Sequence, residues 1–434
     1  MLRMTLFLTL ILLGGWQLNA QTTMSLSEAT EYALTHHPDV RLAKLKVKDA
    51  EWQIKENRAT ALPNVTLGVN YSFFIQQPAI PAEALGFPGE PGQKLTFALR
   101  NNLSGKLGVN QLLFNNSYLV ALKAAKLYRD YVALELKAVE EKLRQSVRDA
   151  YLPALLITES VEVLDKNIAN QDKLINETRE IYKAGFVEQL DVDRLDLLGM
   201  TLKTERESLL RQRDILLDVF KFTINMPITE EITLSDDLDR LLDDYADINP
   251  DEPLDYNNRP DYIALLKARE LNQVQVDLYD KDWLPTVAAF ASYDPSFQGN
   301  EKLFWIPSAI AGISVTMPIY DGGLSRAKQE RARIAAIQVD EQRDMMLRAF
   351  DLEVETARHQ YRNAVQKLED QERNLALAQK INDTSLIKFK AGIGSSFEVS
   401  QAQAALYQAQ ATWVSARFDL LNAIVGFNKA LGKI

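Results

Sequence analysis

"LPNVTLGVNYSF", Leu62–Phe73, alternates polar and apolar residues through its last ten positions. In an extended chain this places Val65, Leu67, Val69, Tyr71 and Phe73 on one side and Asn64, Thr66, Gly68, Asn70 and Ser72 on the other. "LPTVAAFASYDPSF", Leu284–Phe297, opens the same way, although Phe290 falls on its polar side. Each strand is followed by a second amphipathic run. Leu103, Leu107 and Val109 oppose Ser104, Lys106, Gly108 and Asn110, while Ala309, Ala311, Ile313, Val315 and Met317 oppose Ser308, Gly312, Ser314 and Thr316. Runs of about ten residues suit a tilted strand crossing a bilayer, but a half-buried sheet in water gives the same alternation.

Working outward, the two stretches belong to an internal duplication. Pro38–Asp39 matches Pro260–Asp261, Leu62–Pro63 matches Leu284–Pro285, and Tyr71 matches Tyr293, all at an offset of 222. Between the two strands the offset drops to 206, the value for Phe114 over Tyr320, and it is 207 for "YKAGF" (Tyr182–Phe186) over "FKAGI" (Phe389–Ile393) and for Phe220 over Phe427. The first copy therefore carries a longer loop, Gln76–Gln93, whose Pro and Gly content reads as an exposed, irregular excursion. Each copy has the order helix, strand, strand, very long helix, break, helix, and a capping box of Ser25 and Glu28 starts the first helix. His36 and His37 before Pro38 end it.

After Ser117 no convincing helix stop occurs before Gly185, and Val132, Leu136, Val139, Leu143, Val147, Ala150, Ala154, Val161, Leu164, Ile168 and Ile175 form a coiled-coil seam. Phe350, Val354, Ala357, Tyr361, Ala364, Leu368, Leu375 and Ala378 repeat it in the second copy. At 1.5 Å per residue, Ser117–Tyr182 would extend roughly 100 Å, a rod that no compact domain needs. Pro153 interrupts the first seam and predicts a kink.

The chain has 434 residues, 25% of them charged, with a net charge of −10, which leaves nothing to neutralise nucleic-acid phosphates. It has no cysteine, hence no disulfide, thiolate metal site or lipid-bearing cysteine, and only three histidines, His36, His37 and His359. No nucleophile elbow, phosphate-cradling glycine loop or histidine–acid constellation is present, so neither enzymatic activity nor a cofactor is expected. Arg3, the apolar Leu6–Leu13 and "LNAQ" at Leu18–Gln21 read as an export signal over 1–20, with a retained anchor as the competing reading. Past it no apolar stretch is long enough for a membrane helix. The expected organisation is a first repeat over 21–227, with a β-hairpin at about 64–114 and a helical hairpin at about 117–224. An acidic connector or equatorial region over 228–258 follows, read as a solvated linker with short local structure; a calcium site is the alternative, although no D-x-[DN]-x-[DN]-G loop appears. The second repeat, 259–434, has its β-hairpin at about 286–319 and its helical hairpin at about 323–431.

Four strands are too few to close a barrel, and in lipid an open sheet edge leaves backbone groups unsatisfied at several kcal/mol each. Separate chains must then contribute jointly. Three would give twelve strands and an open lumen, two would give eight. At this point the chain resembles the TolC-like outer membrane factors, over essentially its whole mature length. The resemblance rests on "MSLSEATEYALTHHPDV" (Met24–Val40), the two "LP" strand entries, the turns "LLFNNS" and "PIYDGG", the two "KAG" breaks and the ending "FNKALGK". It implies a mostly α fold with transmembrane β structure, in which a homotrimer shares a 12-stranded outer-membrane β-barrel and a long α-helical periplasmic tunnel. It further implies an exit duct for a tripartite efflux pump or type I secretion system, working with a periplasmic adaptor and an inner-membrane transporter. Many relatives carry a lipidated cysteine after the signal. This chain has none, so barrel insertion alone would hold it in the membrane.

The resemblance also places function at the breaks. Gly185 and Gly392 can reverse a helix end in the left-handed conformation, which by itself is an ordinary hairpin turn. In the family these turns are the periplasmic tips, where the tunnel closes and the adaptor docks, and Phe186, Val187, Ile393 and Gly394 are expected to be exposed there. Carboxylates follow six residues after each glycine, Asp191 and Glu398. They are either a solvated helix face or, in a threefold tunnel, a ring that narrows the tip and favours cations. Glu398 occupies the first position of the family's acidic ring and Gln401 stands at the second. Asp191 matches a family position that latches the closed tip to a basic residue. Gly394 stands at that basic position, leaving Lys183 and Lys390 as substitutes. Phe73, Phe74, Tyr293, Phe304 and Trp305 are candidates for interfacial girdles or core packing. The rival reading is a periplasmic coiled-coil scaffold or adaptor with a soluble β domain.

Overall fold

The computed structural model describes residues 22–86, 92–96, 98–244 and 248–433, so the export signal read over 1–20 lies outside the described residues. The first copy runs β1 (Thr22–Met24), α1 (Leu26–His36), α2 (Pro38–Ala59), β2 (Asn64–Phe73), β3 (Ala79–Pro81), β4 (Lys94–Thr96), β5 (Asn101–Phe114), α3 (Asn116–Lys183) and α4 (Gln189–Thr223). The connector carries β6 (Ile232–Leu234), α5 (Leu238–Asp244) and a 3-10 turn at Tyr256–Asn258. The second copy runs α6 (Pro260–Asp280), β7 (Thr286–Gly299), β8 (Phe304–Thr316), α7 (Leu324–Lys390) and α8 (Ser396–Ala430). The chain divides into two units. Leu45–Ala133 with Ala264–Arg343 form one; the segment ending at Lys44, Leu134–Ile263 and the chain from Asp344 form the other.

The first unit holds a four-stranded antiparallel sheet in the order β2-β5-β7-β8. Its two hairpins have the same register once the sequence offsets are applied: Val65 opposite Val109 and Leu67 opposite Leu107 in one, Val287 opposite Val315 and Ala289 opposite Ile313 in the other. The registers bring every apolar alternation to the same side. Val65, Leu67, Val69 and Tyr71 of β2 continue through Leu103 and Leu107 of β5 and Tyr293 and Phe297 of β7 to Ile313 and Val315 of β8. Among the described residues no layer covers this face. β2 is exposed at every position, and Leu67 and Ile313 are 73% and 68% exposed. Phe290, the residue out of pattern, lies opposite Gly312 on the polar side, where its ring fills the space that a side chain at 312 would need. Ile306 and Ile310 share that side.

Among the described residues, the long loop of the first copy carries more regular structure than expected. Its β3 and β4 pair antiparallel around a 3-10 turn at Ala82–Leu85. The loop is tied to the β7–β8 turn by Asn300, whose side-chain oxygen accepts from Gln77 Nε2 at 2.7 Å and from Arg100 N at 2.9 Å. Local pairing of Ala79–Pro81 with Lys94–Thr96 satisfies backbone groups that a disordered excursion would leave to water.

The second unit is built on the seams of the long helices. Leu143, Val147, Ala154, Val161, Leu164 and Ile175 of α3 are buried, as are Phe350, Val354, Ala357 and Ala364 of α7. Pro153 does not end α3, which continues to Lys183. The seam closes on Tyr151, fully buried edge-on to Phe220, with its hydroxyl donating to Met24 O at 3.2 Å. The connector differs from a solvated linker. Its β6 pairs in parallel with β1, and its Leu238 and Leu241 are buried in the same core. Its acidic residues are used as well. The buried Arg417 of α8 pairs with Asp239 and, at 3.4 Å, with Glu159, which also accepts from Leu238 N at 2.8 Å. Burial pushes the Glu159 carboxyl up, with Arg417 opposing. This cluster fixes α5 to α3 and α8.

Candidate functional site

Both helical hairpins turn by the same device. At the end of α3, Phe186 N donates to Ile181 O at 3.2 Å and Gly185 N to Tyr182 O at 2.8 Å. At the end of α7, Ile393 N donates to Lys388 O and Gly392 N to Phe389 O, both at 3.0 Å. Gly185 and Gly392 have φ of 79° and 73°. These are paired Schellman motifs, and a left-handed residue is what allows the doubled hydrogen bond. The chain beyond each glycine differs. In the first copy Glu188 N donates to Asp191 Oδ2 at 3.0 Å; in the second, Ser395 Oγ accepts from Glu398 N at 3.2 Å. Each side chain satisfies a backbone donor that a helix N-terminus leaves open.

The two turns share one small core of Leu174, Ile175, Leu195, Phe389 and Val399, with Val187 and Leu386 packed on it. Sequence reasoning placed all four post-glycine residues in the open, and the structure corrects two of them. Phe186 and Ile393 are 83% and 79% exposed. Val187 is half-buried because it covers the shared core, and Gly394 is half-buried because its backbone passes close to α7. A Cβ on Gly394 would lie 3.0 Å from both Lys388 Cβ and Phe389 N. A basic side chain cannot stand there without moving the turn.

Asp191 joins the two hairpins through a residue that the sequence did not suggest. Its Oδ1 accepts a hydrogen bond from the hydroxyl of Ser396, which is fully buried at the start of α8. The basic substitutes are occupied: Lys183 pairs with Glu180 at 2.7 Å and Lys390 with Glu177 at 2.8 Å. The Lys390 pair also crosses between hairpins, and its hydrogen bond holds the Glu177 carboxyl below the usual range. The signal in the sequence was Ser395–Ser396, where one serine caps α8 and leaves the other free to reach across. Asp193 accepts from Gln189 Nε2 at 2.7 Å, and both oxygens of Asp196 accept from Arg179 Nη2, at 2.7 and 2.8 Å. Glu398 is exposed in the first turn of α8. Gln401, also exposed, lines a groove of 470 Å³ with Arg194, Leu197, Thr201 and Phe397, where the Arg194 guanidinium lies 5.6 Å from the Phe397 ring.

The site is a set of non-covalent contacts between two helix hairpins, each modest in strength, next to two exposed apolar residues. Among the described residues no group of acids and histidines is placed to hold a metal, and no helix is long and apolar enough to cross a membrane.

A family model described as outer membrane efflux protein matches residues 30–196 and 256–433, one stretch per copy. The pyoverdine export outer membrane protein OpmQ of Pseudomonas aeruginosa is 23% identical over 411 residues, 94% of this chain and 85% of that protein. The outer membrane protein VceC of Vibrio cholerae superposes with a TM-score of 0.72 at 15% identity, covering 94% of this chain and 96% of that one. The CmeC outer membrane channel of Campylobacter jejuni gives 0.72 at 15% identity, covering 94% and 85%.

Proposed function

The chain belongs to the outer membrane efflux protein family, and on that premise we propose that three copies form the exit duct of a tripartite efflux pump or type I secretion system. The observation that carries this reading is the sheet. Among the described residues it has one apolar face without a covering layer and two unpaired edges, β2 and β8. Lipid is the solvent that suits the apolar face, and lipid tolerates no open edge. Three four-stranded sheets joined edge to edge give twelve strands with a polar lining and an apolar exterior. The mature protein then spans the outer membrane as strands and reaches into the periplasm as helices.

The hairpin turns are the periplasmic tips in this reading. Phe186 and Ile393 offer paired apolar contacts to a periplasmic adaptor, with Gly185, Val187, Gly392 and Gly394 setting the shape of the turn. The inner-membrane transporter supplies cargo beneath. The bonds from Asp191 to Ser396 and from Glu177 to Lys390 hold the resting tip, in place of the basic latch expected at Asp191. Opening breaks them as one hairpin swings from the other. Glu398, repeated three times around the axis with Gln401 beside it, narrows the tip and favours cations.

Reconstitution tests the reading directly. Protein extracted with detergent from the outer membrane and placed in a planar bilayer should assemble as a trimer and conduct ions, with Glu398→Ala reducing cation selectivity. A chain released from the periplasm without detergent, as a water-soluble monomer, would overturn it in favour of a scaffold.

A further inference from the structure

The described contacts contain a template for the joint between copies, and this inference rests on the shared barrel just proposed. Within the chain, the two repeats meet where β5 pairs with β7. Val109 lies opposite Ala291 and Leu107 opposite Tyr293. Beside that joint, Lys123 of α3 pairs with Asp277 of α6 at 3.9 Å, and Asn115 Nδ2 donates to Thr286 Oγ1 at 2.8 Å. The duplication assigns each of these residues an equivalent at the open edges. β8 follows β5 at an offset of 206, and β2 precedes β7 at 222, as the matching hairpin registers require.

The helix offset is fixed by hydrogen bonds at the strand-to-helix turns. Asn115 Oδ1 accepts from Tyr118 N at 2.7 Å, and Asp321 Oδ2 from Ser325 N at 2.7 Å. The turn is thus one residue longer in the second copy, and α7 follows α3 at 207. Lys123 then maps to Glu330 and Asp277 to Lys55; Asn115 maps to Asp321 and Thr286 to Asn64. Both polar pairs survive with their sense exchanged. Lysine–aspartate becomes glutamate–lysine, and an amide donor facing a hydroxyl becomes a carboxylate facing an amide donor.

We propose that a second copy of this chain docks its β2–α2 edge against β8–α7 in the register copied from the internal joint. Val69 of one chain then stands opposite Val315 of the next, Lys55 pairs with Glu330, and Asn64 donates to Asp321. The free edge has the features of an unfilled interface. Trp52, the equivalent of Val274, is 59% exposed whereas Val274 is 3% exposed. Lys55 has no carboxylate at ion-pair distance among the described residues and rests over the Trp52 ring at 3.7 Å. Ile334 and Ile337 of α7 are 55% and 60% exposed. Charge complementarity together with continuity of the sheet selects a second copy over any other occupant.

The absence of cysteine gives a clean background for testing the register. Directly opposed antiparallel residues have Cα atoms about 4.5–5.5 Å apart, within disulfide reach, and diagonal neighbours two residues away lie at about 7–8 Å, outside it. In membranes, full-length protein with Val69→Cys and Val315→Cys should form disulfide-linked ladders up to the trimer. Leu67→Cys with Val315→Cys should not. Lys55→Glu and Glu330→Lys should each lower recovery of the assembly, and the double reversal should restore it. Crosslinking through the Leu67 pair alone overturns the register. Failure of both cysteine pairs, while an amine-reactive reagent still captures trimers, overturns the inference and leaves the duct standing. If no reagent captures any oligomer, the shared barrel falls and the inference falls with it.

Discussion

Replacing Ser396 by alanine should loosen the tips more than removing the Lys390 ammonium, although the latter breaks an ion pair. The Ser396 hydroxyl is fully buried and bonds to a carboxylate, and a hydrogen bond to a charged group is worth about 1.5–3 kcal/mol. Asp191 is only half-buried and keeps its second bond to Glu188 N, so water recovers part of the loss and about 1–2 kcal/mol remains. That is a factor of roughly 5–30 in the odds of an open tip. The Lys390–Glu177 pair lies in solvent, with side chains 57% and 36% exposed, and such pairs contribute about 0.2–1 kcal/mol. Single-channel recording in a planar bilayer reads the open probability, and uptake of a large antibiotic by cells carrying the variant gives a second measure. Ser396→Ala should raise both, and Lys390→Ala should raise them less. An open probability unchanged by Ser396→Ala, or a larger effect from Lys390→Ala, would refute the assignment of the resting contact to the serine.

Arg417→Met should destabilise the second unit by about 1–3 kcal/mol, because it leaves the partly buried Glu159 without its cation. Glu159 has a raised carboxyl in the folded chain, and losing Arg417 raises it further. The folded state then holds the proton more tightly than the unfolded one, so the variant's stability falls as pH rises from the ordinary carboxylate value. Denaturant melts should show a smaller defect near pH 5 than at pH 8, with Glu159→Gln rescuing the variant. On the sheet, Leu67→Arg should cost about 2–4 kcal/mol of insertion if that face meets lipid. Asn70→Arg on the opposite face should be tolerated; the folded fraction in outer-membrane vesicles measures both. At the first tip, Gly185→Ala should cost about 1–2 kcal/mol through its left-handed φ alone, since nothing crowds the site. Gly185→Asn should recover part of it, as this chain itself uses Asn225 at φ 59° after α4. Hydrogen exchange of the turn amides reports the difference.

The parts of the site that were legible in sequence are those set by neighbours along the chain. Gly185 and Gly392 announced helix ends because few other residues take a left-handed φ, and the repeat of "KAG" identified the two turns as equivalents. Exposure at the turns was half right. Phe186 and Ile393 project as expected, but Val187 was drawn into a core supplied by Leu174, Leu195 and Phe389, residues that no local pattern connects to it. The contact of Asp191 was not legible at all: the sequence offered Lys183, Lys390 or the position of Gly394 as its partner, whereas the side chain it meets within the chain is the hydroxyl of Ser396, 205 residues away.

From sequence alone came the duplication, the faces of the strands and the length of the rods, since each follows from a period of two, of three and a half, or of some two hundred residues. Tertiary structure decided which strand edges remain unpaired, where Phe290 hides its ring, how Arg417 gathers the acidic connector, and which side chains bridge the hairpins. Periodicity fixes which way a residue points. What it meets there depends on packing between segments far apart in the chain, and that is decided only when the whole chain folds.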